Sequence, residues 1–351
     1  MTAPGNRDGP GPRRRVLLND VAKRAKVSDS TASRALAGDQ RISLATRLQV
    51  QAAAAELRYV PNAAARSLRA RHTRSLGLLL PDLRDPVHGQ VASAFEEEAR
   101  RRGYCVIMVA GEAQLALERI ALRIFAEHRT DGVAIVSGVM SPREAQERAD
   151  PDRLVLVQPD HRSLRRREGP LFPGVIQTDD VSGATAAVDY LVESGYRRIA
   201  YVGGGARASS VAREKAVAAA LRDRNPRMTP RTYATSGEEW RAPGDLAGAI
   251  AADLPEALIC YDDKLALALM DALRGLGVRV PDDLGIVGFD GIPFAAFSNP
   301  RLTTVAVPSA EMGRVAASSL VEAILTGALP EAVLLRLELI IRESTRPIPS
   351  R

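Results

Sequence analysis

The sequence predicts an all-α head at the N-terminus, followed by a larger α/β core that is built on parallel β-sheets. Three observations predict this division. The chain has 351 residues, which is long for one ordinary hydrophobic core. Residues 1–74 contain 15 Lys and Arg against 5 Asp and Glu. The remaining residues contain 33 Lys and Arg against 37 Asp and Glu. From Ser75 onwards, short apolar runs alternate with longer amphipathic ones, which is the pattern of βαβ units.

Residues 1–15 are rich in Pro, Gly and Arg, so we interpret them as a disordered leader and not as a signal peptide. No run in the sequence approaches the roughly 18 consecutive apolar residues that a membrane helix needs. Cys105 and Cys260 each lie in an apolar run. We expect them to be free, buried thiols in a reducing cytoplasm, and a disulfide is the alternative.

Residues 16–60 predict three short helices, covering about 18–25, 28–36 and 44–57. Ser28 is a good N-cap for the second helix, and Gly38 ends it. The small side chains of Ala22 and Ala25 allow the first two helices to cross closely. This is a helix-turn-helix pattern, and the excess of basic residues around it indicates a nucleic-acid partner. A solubilising basic tail is the alternative, but the basic residues continue through segments that are predicted to be helical.

In the core, the predicted strands are 76–80, 104–109, 133–136, 154–157, 175–177, 198–202, 257–260 and 284–288. The predicted helices are 90–102, 115–127, 180–194, 210–224 and 264–276. Gly103, Gly195 and Gly277 each follow a predicted helix, where glycine is the expected C-cap. This number of strands indicates two parallel-sheet units with a cleft between them, and ligands of such sheets bind at the carboxyl ends of the strands.

Several phrases of the sequence resemble one known family. The segments 16–36, 41–43, 57–62 and 65–68 resemble the DNA-binding head and hinge of the lac/galactose repressor family of bacterial transcriptional regulators. The phrases at 76–82, 193–200, 280–290, 300–305 and 341–345 resemble its effector-binding core, and they occur in the same order. The resemblance therefore covers about residues 16–346.

The resemblance implies a domain organisation. The helix-turn-helix DNA-binding domain would span residues 16–60, and a hinge helix with a linker would span 61–74. The effector-binding and dimerisation core, residues 75–346, would be similar to periplasmic sugar-binding proteins and contain two doubly wound parallel-sheet subdomains. The implied N-subdomain comprises about 75–173 and 306–330, and the C-subdomain about 174–305 and 331–346. The three crossovers between them are expected near 172–175, 303–307 and 329–333.

The resemblance also implies which residues bind DNA. They are Lys26, Ser28, Asp29, Ser30, Thr31, Ser33, Arg34, Arg41, Asn62, Ala65 and Leu68. Asp29, Ser30 and Arg34 match the base-reading positions of the recognition helix, and an arginine can bind guanine with two hydrogen bonds. Lys26 lies in the turn, where the family often has Gly. Leu68 matches the leucine that opens a base step in the minor groove.

The resemblance implies that Arg213, Trp240, Asp262 and Asp290 bind the effector. In the other subdomain, Asp85, Ser137 and Gln158 are candidates because they lie near the ends of predicted strands, although the family usually has Asn at the position of Asp85. An arginine and an aspartate that face each other across a cleft, beside one aromatic side chain, suit a polyhydroxylated, sugar-like ligand. Each main candidate has an alternative role. Arg213 could be a surface charge, Asp290 a turn former, Asp262 an N-cap, and Trp240 a core or interface residue.

From these features we expect a sequence-specific DNA-binding transcriptional regulator, and more narrowly a repressor. It would act as a homodimer on a pseudo-palindromic double-stranded operator, and a small molecule in the cleft would switch its operator affinity. A solute-binding receptor would need a secretory signal and would lack the basic head. A sugar-metabolising enzyme would need a catalytic cluster, and the four scattered histidines and the glycine run at 203–205 provide neither metal-ligand nor phosphate-loop spacing. We therefore expect no enzyme activity, cofactor or metal.

Overall fold

The computed structural model describes residues 16–60, 72–159, 174–204, 208–235 and 239–347. The chain divides into two compact units at the bond between Thr73 and Arg74. Within the described ranges, no helix is both long enough and apolar enough to cross a membrane. The expected leader, residues 1–15, and most of the expected hinge, residues 61–71, lie outside the described residues.

The first unit contains three helices: α1 (Leu18–Arg24), α2 (Asp29–Leu36) and α3 (Leu44–Glu56). They enclose a small core in which Val21, Ala22, Ala32 and Val50 are fully or almost fully buried. Because these core side chains are alanines and valines, the helices cross closely, as the sequence predicted. In the turn between α1 and α2, Lys26 has a φ of 51°, a left-handed conformation that costs a non-glycine residue about 1 kcal/mol.

The described part of the second unit contains twelve strands. They are β1 (Ser75–Leu80), β2 (Cys105–Ala110), β3 (Gly132–Val136), β4 (Leu154–Val157), β5 (Val175–Thr178), β6 (Ile199–Gly203), β7 (Arg231–Ala234), β8 (Ala257–Cys260), β9 (Gly285–Asp290), β10 (Thr303–Ala306), β11 (Val333–Leu335) and β12 (Glu338–Ile340). Its described helices are α4 (Pro86–Arg101), α5 (Leu115–Glu127), α6 (Pro142–Arg148), α7 (Asp180–Glu193), α8 (Ala208–Arg224), α9 (Gly244–Asp253), α10 (Asp263–Gly275) and α11 (Ser309–Thr326).

The strands form two six-stranded sheets. The order in the first is β11-β5-β4-β3-β1-β2, and all of its pairings are parallel. The order in the second is β12-β10-β9-β8-β6-β7, in which only β12 is antiparallel. The strand order reverses at β1 and at β6, so each sheet has a switch point where a ligand crevice is expected. The predicted fold class, a helical head followed along the chain by two doubly wound parallel-sheet subdomains, is confirmed.

Two of the three crossovers, where the chain passes from one sheet to the other, lie a few residues later than the sequence predicted. The first sheet includes β5, so the chain leaves it after Thr178 and not near 172–175. It also includes β11, so the last passage follows Leu335 and not 329–333. The passage after β10 falls at the end of the expected range 303–307. A short apolar segment is equally suited to either sheet, because both bury their strands on two faces.

Helices cover both sheets. In the first subdomain, α11 packs directly on α4, and Gly313 makes this approach possible, since a Cβ at this position would overlap the carbonyl oxygen of Val91. In the second, α7 packs on α8. The largest fully buried side chains of the two subdomains include Phe95, Tyr201 and Phe289. The sheets are therefore held by dense apolar layers, and their carboxyl ends are positioned by rigid elements.

The chain enters the core at Arg74 through a fixed joint. Arg74 has a φ of 52°. Its N–H donates to Oδ2 of the buried Asp131 over 2.9 Å, and its carbonyl oxygen accepts the N–H of Cys105 over 2.9 Å. Cys105 is exposed because β2 is an edge strand, so the expectation that both thiols are buried was wrong for this one. Cys260 is buried, and both cysteines are free.

Candidate functional site

The second helix of the head, α2, presents polar side chains to solvent. Ser30 and Arg34 are exposed on it. Ser28 is its N-cap, since its Oγ accepts the N–H of Thr31 over 3.1 Å, and the same Oγ lies 2.9 Å from the hydroxyl of Ser30. The carboxylate of Asp29 accepts hydrogen bonds from Nδ2 of Asn19 over 3.2 and 3.3 Å. Asp29 therefore joins α1 to α2, whereas the contact of Ser30 stays within the first turn of α2.

The other head residues that were predicted to bind DNA differ in their surroundings. Thr31 and Ser33 are half-buried, and Lys26 is exposed. Arg41 forms an ion pair with Asp39, with 2.7 Å between Nη2 and Oδ2. The hydrogen bonds from Arg41 lower the pKa of Asp39 to about 2. Asn62, Ala65 and Leu68 lie outside the described residues.

In the core, Arg213 on α8 is the centre of a buried polar network. Its Nη1 donates to the carbonyl oxygen of Tyr261 over 2.6 Å and to Oδ1 of Asp290 over 3.3 Å. Its Nε lies 3.4 Å from Oδ2 of Asp180, and its guanidinium lies 3.6 Å from the centre of the Phe289 ring. Only 5 % of Arg213 is exposed, so it is not a surface charge.

The charges of this network depend on one another. Burial opposes the protonation of Arg213, but Asp180 and Asp290 outweigh it and raise the pKa of the guanidinium. Burial raises the pKa of Asp290 well above its ordinary range, and Arg213 opposes this rise. Arg213 therefore stays protonated, and it is the main cation that favours the ionised form of Asp290.

A chain of hydrogen bonds connects Arg213 to the first sheet. Gln158, at the end of β4, donates from Nε2 to Oγ1 of Thr178 over 2.5 Å, and its Oε1 accepts the N–H of Thr178 over 3.2 Å. The hydroxyl of Thr178 donates to Oδ1 of Asp180 over 2.8 Å. Because Asp180 in turn pairs with Arg213, the carboxyl ends of both sheets share one polar network.

Three of the predicted effector residues have left-handed backbone conformations directly after their strands or at the strand end. The φ angles are 45° for Ser137, 49° for Gln158 and 105° for Asp290. Such conformations are costly for non-glycine residues and concentrate at functional sites. The N–H of Ser137 donates to the carbonyl oxygen of Val157 over 2.7 Å, which holds Ser137 beside the end of β4.

The remaining predicted residues meet at a second point between the subdomains. Asp85 is the N-cap of α4, and Asp262 is the N-cap of α10. Nζ of Lys264 lies 2.5 Å from Oδ2 of Asp85 and 3.8 Å from Oδ2 of Asp262. Trp240 is about one-third exposed, and its ring centre lies 5.9 Å from the same Nζ. The N-cap alternative for Asp262 is therefore correct, and it is compatible with a place in the cleft.

Several members of this site were not predicted from the sequence: Thr178, Asp180, Asp263, Lys264 and Phe289. Asp180 opens α7 directly after β5, so a carboxylate at a strand end was the available signal. Asp263 and Lys264 follow the predicted Asp262, and the helix pattern gave no reason to choose among the three. Phe289 reads as a core side chain, and only its contact with Arg213 shows its second role.

The buried carboxyl group of Asp263 should make the free energy of unfolding depend on pH. Burial raises its pKa to about 7, although the hydroxyl of Thr304 and the N–H of Ile292 donate to it over 2.6 and 2.8 Å. The folded chain therefore binds this proton at a higher pH than the unfolded chain does. The resulting stabilisation is complete below about pH 4 and is lost as the pH rises towards 7, by up to about 1.4 kcal/mol per pH unit.

The measurement is urea unfolding of the wild type and of Asp263→Asn between pH 5 and 8. We expect the free energy of unfolding of the wild type, relative to the variant, to fall as the pH rises through this window. Asp271→Asn, on the same helix but exposed, controls for the substitution itself. Parallel curves for the wild type and Asp263→Asn would contradict the prediction.

Comparisons with known proteins agree with this geometry. A family model described as bacterial regulatory proteins, lacI family, matches residues 17–62, and one described as periplasmic binding protein-like domain matches residues 188–345. The HTH-type transcriptional repressor CytR of Escherichia coli (strain K12) is 31% identical over 341 residues, which cover 95% of this chain and 97% of the relative. The HTH-type transcriptional repressor PurR of Photobacterium profundum is 30% identical over 346 residues, which cover 95% and 99%.

Solved structures show the same fold. The lac repressor dimer bound to operator and the anti-inducer ONPF superposes with a TM-score of 0.84 at 23% identity, and the match covers 95% of this chain and 100% of that one. The cellobiose complex of the transcriptional regulator CelR has a TM-score of 0.67 at 25% identity, with coverage of 94% and 100%.

Proposed function

Because the chain belongs to the lacI family of bacterial regulatory proteins, as its sequence predicted, we propose that it represses transcription through operator DNA. Residues 16–60 bind the operator, and a small molecule in the cleft of the core changes their affinity for it. The observation that carries the proposal is the combination of an exposed polar and basic helix, α2, with a buried polar network at the carboxyl ends of two sheets.

The proposed partners are a second copy of the chain and double-stranded operator DNA. The protein acts as a homodimer on a pseudo-palindromic, double-stranded operator, because a two-fold symmetric dimer matches two half-sites. It works in the cytoplasm and is associated with the nucleoid when it is bound to DNA. It is a regulator and not an enzyme, and it needs no cofactor. The two relatives named above, both transcriptional repressors, support this assignment.

In the head, we assign base reading to Ser30 and Arg34, which are exposed on α2. Lys26, Thr31, Ser33 and Arg41 are assigned to phosphate contacts or to the packing beside them. Ser28 and Asp29 act mainly by holding α2 in place, since both are used within the head. Asn62, Ala65 and Leu68 are assigned to the minor groove on the family resemblance alone.

In the core, we propose a sugar-like or related polyhydroxylated effector. Nε of Arg213 and Oδ2 of Asp180 are buried and lie 3.4 Å apart, without a hydrogen bond between them or to another described residue. A ligand hydroxyl beside this pair would serve both atoms, since it donates to a carboxylate and accepts from a guanidinium at once. Trp240 provides an aromatic face beside Lys264, at the N-terminal end of α10. Arg213, Asp290, Asp262, Asp85, Gln158 and Ser137 surround the proposed ligand.

The proposal is tested in two stages. Purified full-length protein first selects DNA fragments from a random pool, and we expect an enriched sequence with two related half-sites. Sugars, nucleosides and related metabolites are then screened by thermal shift, and each stabilising compound is added to the protein–DNA complex. At least one should change the operator affinity by about fivefold or more, which corresponds to about 1 kcal/mol of coupling. Failure to enrich any sequence, both without and with each stabilising compound, would overturn the assignment.

Arg34→Ala tests the recognition helix. We expect it to weaken binding to the selected operator by about 1–3 kcal/mol and to relax the preference at one base pair in each half-site, because a bidentate arginine–guanine contact is lost. Fluorescence anisotropy on a set of single-base operator variants measures both effects. Lys23→Ala, an exposed change on α1, should leave the base preferences unaltered. An equal loss of affinity across all operator variants would show that Arg34 contacts only phosphate.

A further inference from the structure

Lys264 makes a contact that crosses from one subdomain to the other. It lies in the first turn of α10, which packs on strands of the second sheet. Its Nζ lies 2.5 Å from Oδ2 of Asp85, which is the N-cap of α4. That helix packs on strands of the first sheet. The two side chains are 21% and 13% exposed, so this ion pair is largely withdrawn from solvent.

The two carboxylates around Lys264 are held rigidly. Oδ1 of Asp85 accepts the N–H of Val87 over 2.9 Å, and Oδ1 of Asp262 accepts the N–H of Leu265 over 2.8 Å. In each residue, one oxygen caps a helix, and the other oxygen faces the ammonium. Each carboxylate is held in place by its helix cap, and the two capped helices belong to different subdomains. The ammonium therefore fixes the distance between two helix ends.

The charges support a real interaction. Burial opposes the ionisation of Asp85, but His88 and Lys264 together outweigh it and hold the pKa of the carboxyl below its ordinary value. Burial likewise opposes the charge on Lys264, but Asp262 and Asp85 raise the pKa of the ammonium. If the ammonium were absent, Asp85 and Asp262 would lose the cation that they share, and the ion pair that joins α4 to α10 would be lost.

We propose that Lys264 is the positioning residue that sets the resting closure of the core, by holding the N-terminal ends of α4 and α10 together through Asp85 and Asp262. The proposal concerns the same cleft to which we assign the effector, but it requires no effector. An incoming ligand finds a cleft whose width is already set by this bridge. Effector binding and subdomain closure are then coupled through Lys264.

The test measures the distance between the subdomains in the full-length protein. Spin labels are attached to cysteines introduced at Glu127 and Arg222, which are exposed on α5 and α8, in a Cys105→Ser background. Labelled chains are diluted with unlabelled ones, so that pulsed dipolar spectroscopy reports distances within one chain. We expect one narrow distribution for the parent protein, and a longer and broader one for Lys264→Met.

Two further variants separate the bridge from a general loss of structure. Asp85→Asn keeps a residue that caps helices well but removes the charge, and it should open the core as Lys264→Met does. The double variant should open it no further than either single change. Lys264→Arg should keep the parental distance, and so should Lys215→Met, which applies the same change to an exposed position.

Chemical rescue gives a result that a structural role alone cannot give. Methylammonium added to Lys264→Ala should shorten the distance again, whereas tetramethylammonium, which has no N–H donor, should not. Parental distances in both Lys264→Met and Asp85→Asn would overturn the proposal. This outcome would leave the proposed function intact, because operator selection and the metabolite screen do not depend on Lys264.

Discussion

A chain truncated to residues 72–351 is expected to lose operator binding almost completely, by more than about 1,000-fold relative to the full-length protein. Residues 1–74 contain the whole basic excess of the chain, and the residues after 74 carry more acidic than basic side chains. Without that excess, the truncated protein also lacks the phosphate contacts that support non-specific binding. Fluorescence anisotropy on the selected operator, at physiological salt, measures the loss.

The truncated protein should still fold, because the two units have separate hydrophobic cores. Among the residues that the structure describes, the apolar cluster of the head comprises residues between Leu18 and Tyr59, and it shares no member with the clusters of the core. Circular dichroism and the metabolite thermal shift are therefore expected to be unchanged in the core. Removal of residues 1–15 alone is the matched control and should leave most of the operator affinity in place. Retained operator binding by a folded core would refute the assignment of the head.

The second large effect is expected for Arg213→Met. This change removes the cation that Asp180 and Asp290 share, and it removes the donor to the carbonyl oxygen of Tyr261. Breaking a buried ion network on one side leaves uncompensated charge, which typically costs about 3–5 kcal/mol of stability. Urea unfolding of the core measures the cost, and the thermal shift on the effector found by screening is expected to disappear.

Arg224→Met provides the control on the same helix. Arg224 also forms an ion pair with an aspartate, with 2.7 Å between Nε and Oδ1 of Asp189, but 42% of its side chain is exposed. Solvent screens such a pair, so its loss should leave the free energy of unfolding nearly unchanged. If the two variants were equally stable, the network around Arg213 would not be a significant contributor to the fold.

The sequence predicted the head and the alternation of the core well, because helix periodicity and buried strands leave strong patterns. It did not predict β7, β10, β11, β12, α6, α9 or α11 as elements. Strands of three or four residues, such as Glu338–Ile340, are too short to show a period. The helix Ser309–Thr326 contains four Ala and three Ser, whose small side chains give little contrast between its faces.

The candidate site was predicted in part, and the reason for the omission is specific. Arg213 and Asp290, expected to face each other, do lie within hydrogen-bonding distance. Thr178 and Asp180 were missed because the first crossover was placed at 172–175, before β5. That placement put both residues in one subdomain. It concealed that Thr178 ends a strand of the first sheet and Asp180 begins a helix of the second subdomain.

The joint at Arg74 has a consequence for how regulators of this kind diversify. The contacts that hold its backbone come from Asp131 and Cys105, and both of these residues belong to the core. The backbone of Arg74, where the core begins, is therefore held by residues of the core itself. A head with a different DNA specificity can be recombined with this core upstream of residue 72 without removing either of these contacts. Gene fusion at that point would exchange the operator while the response to the metabolite stays with the recipient.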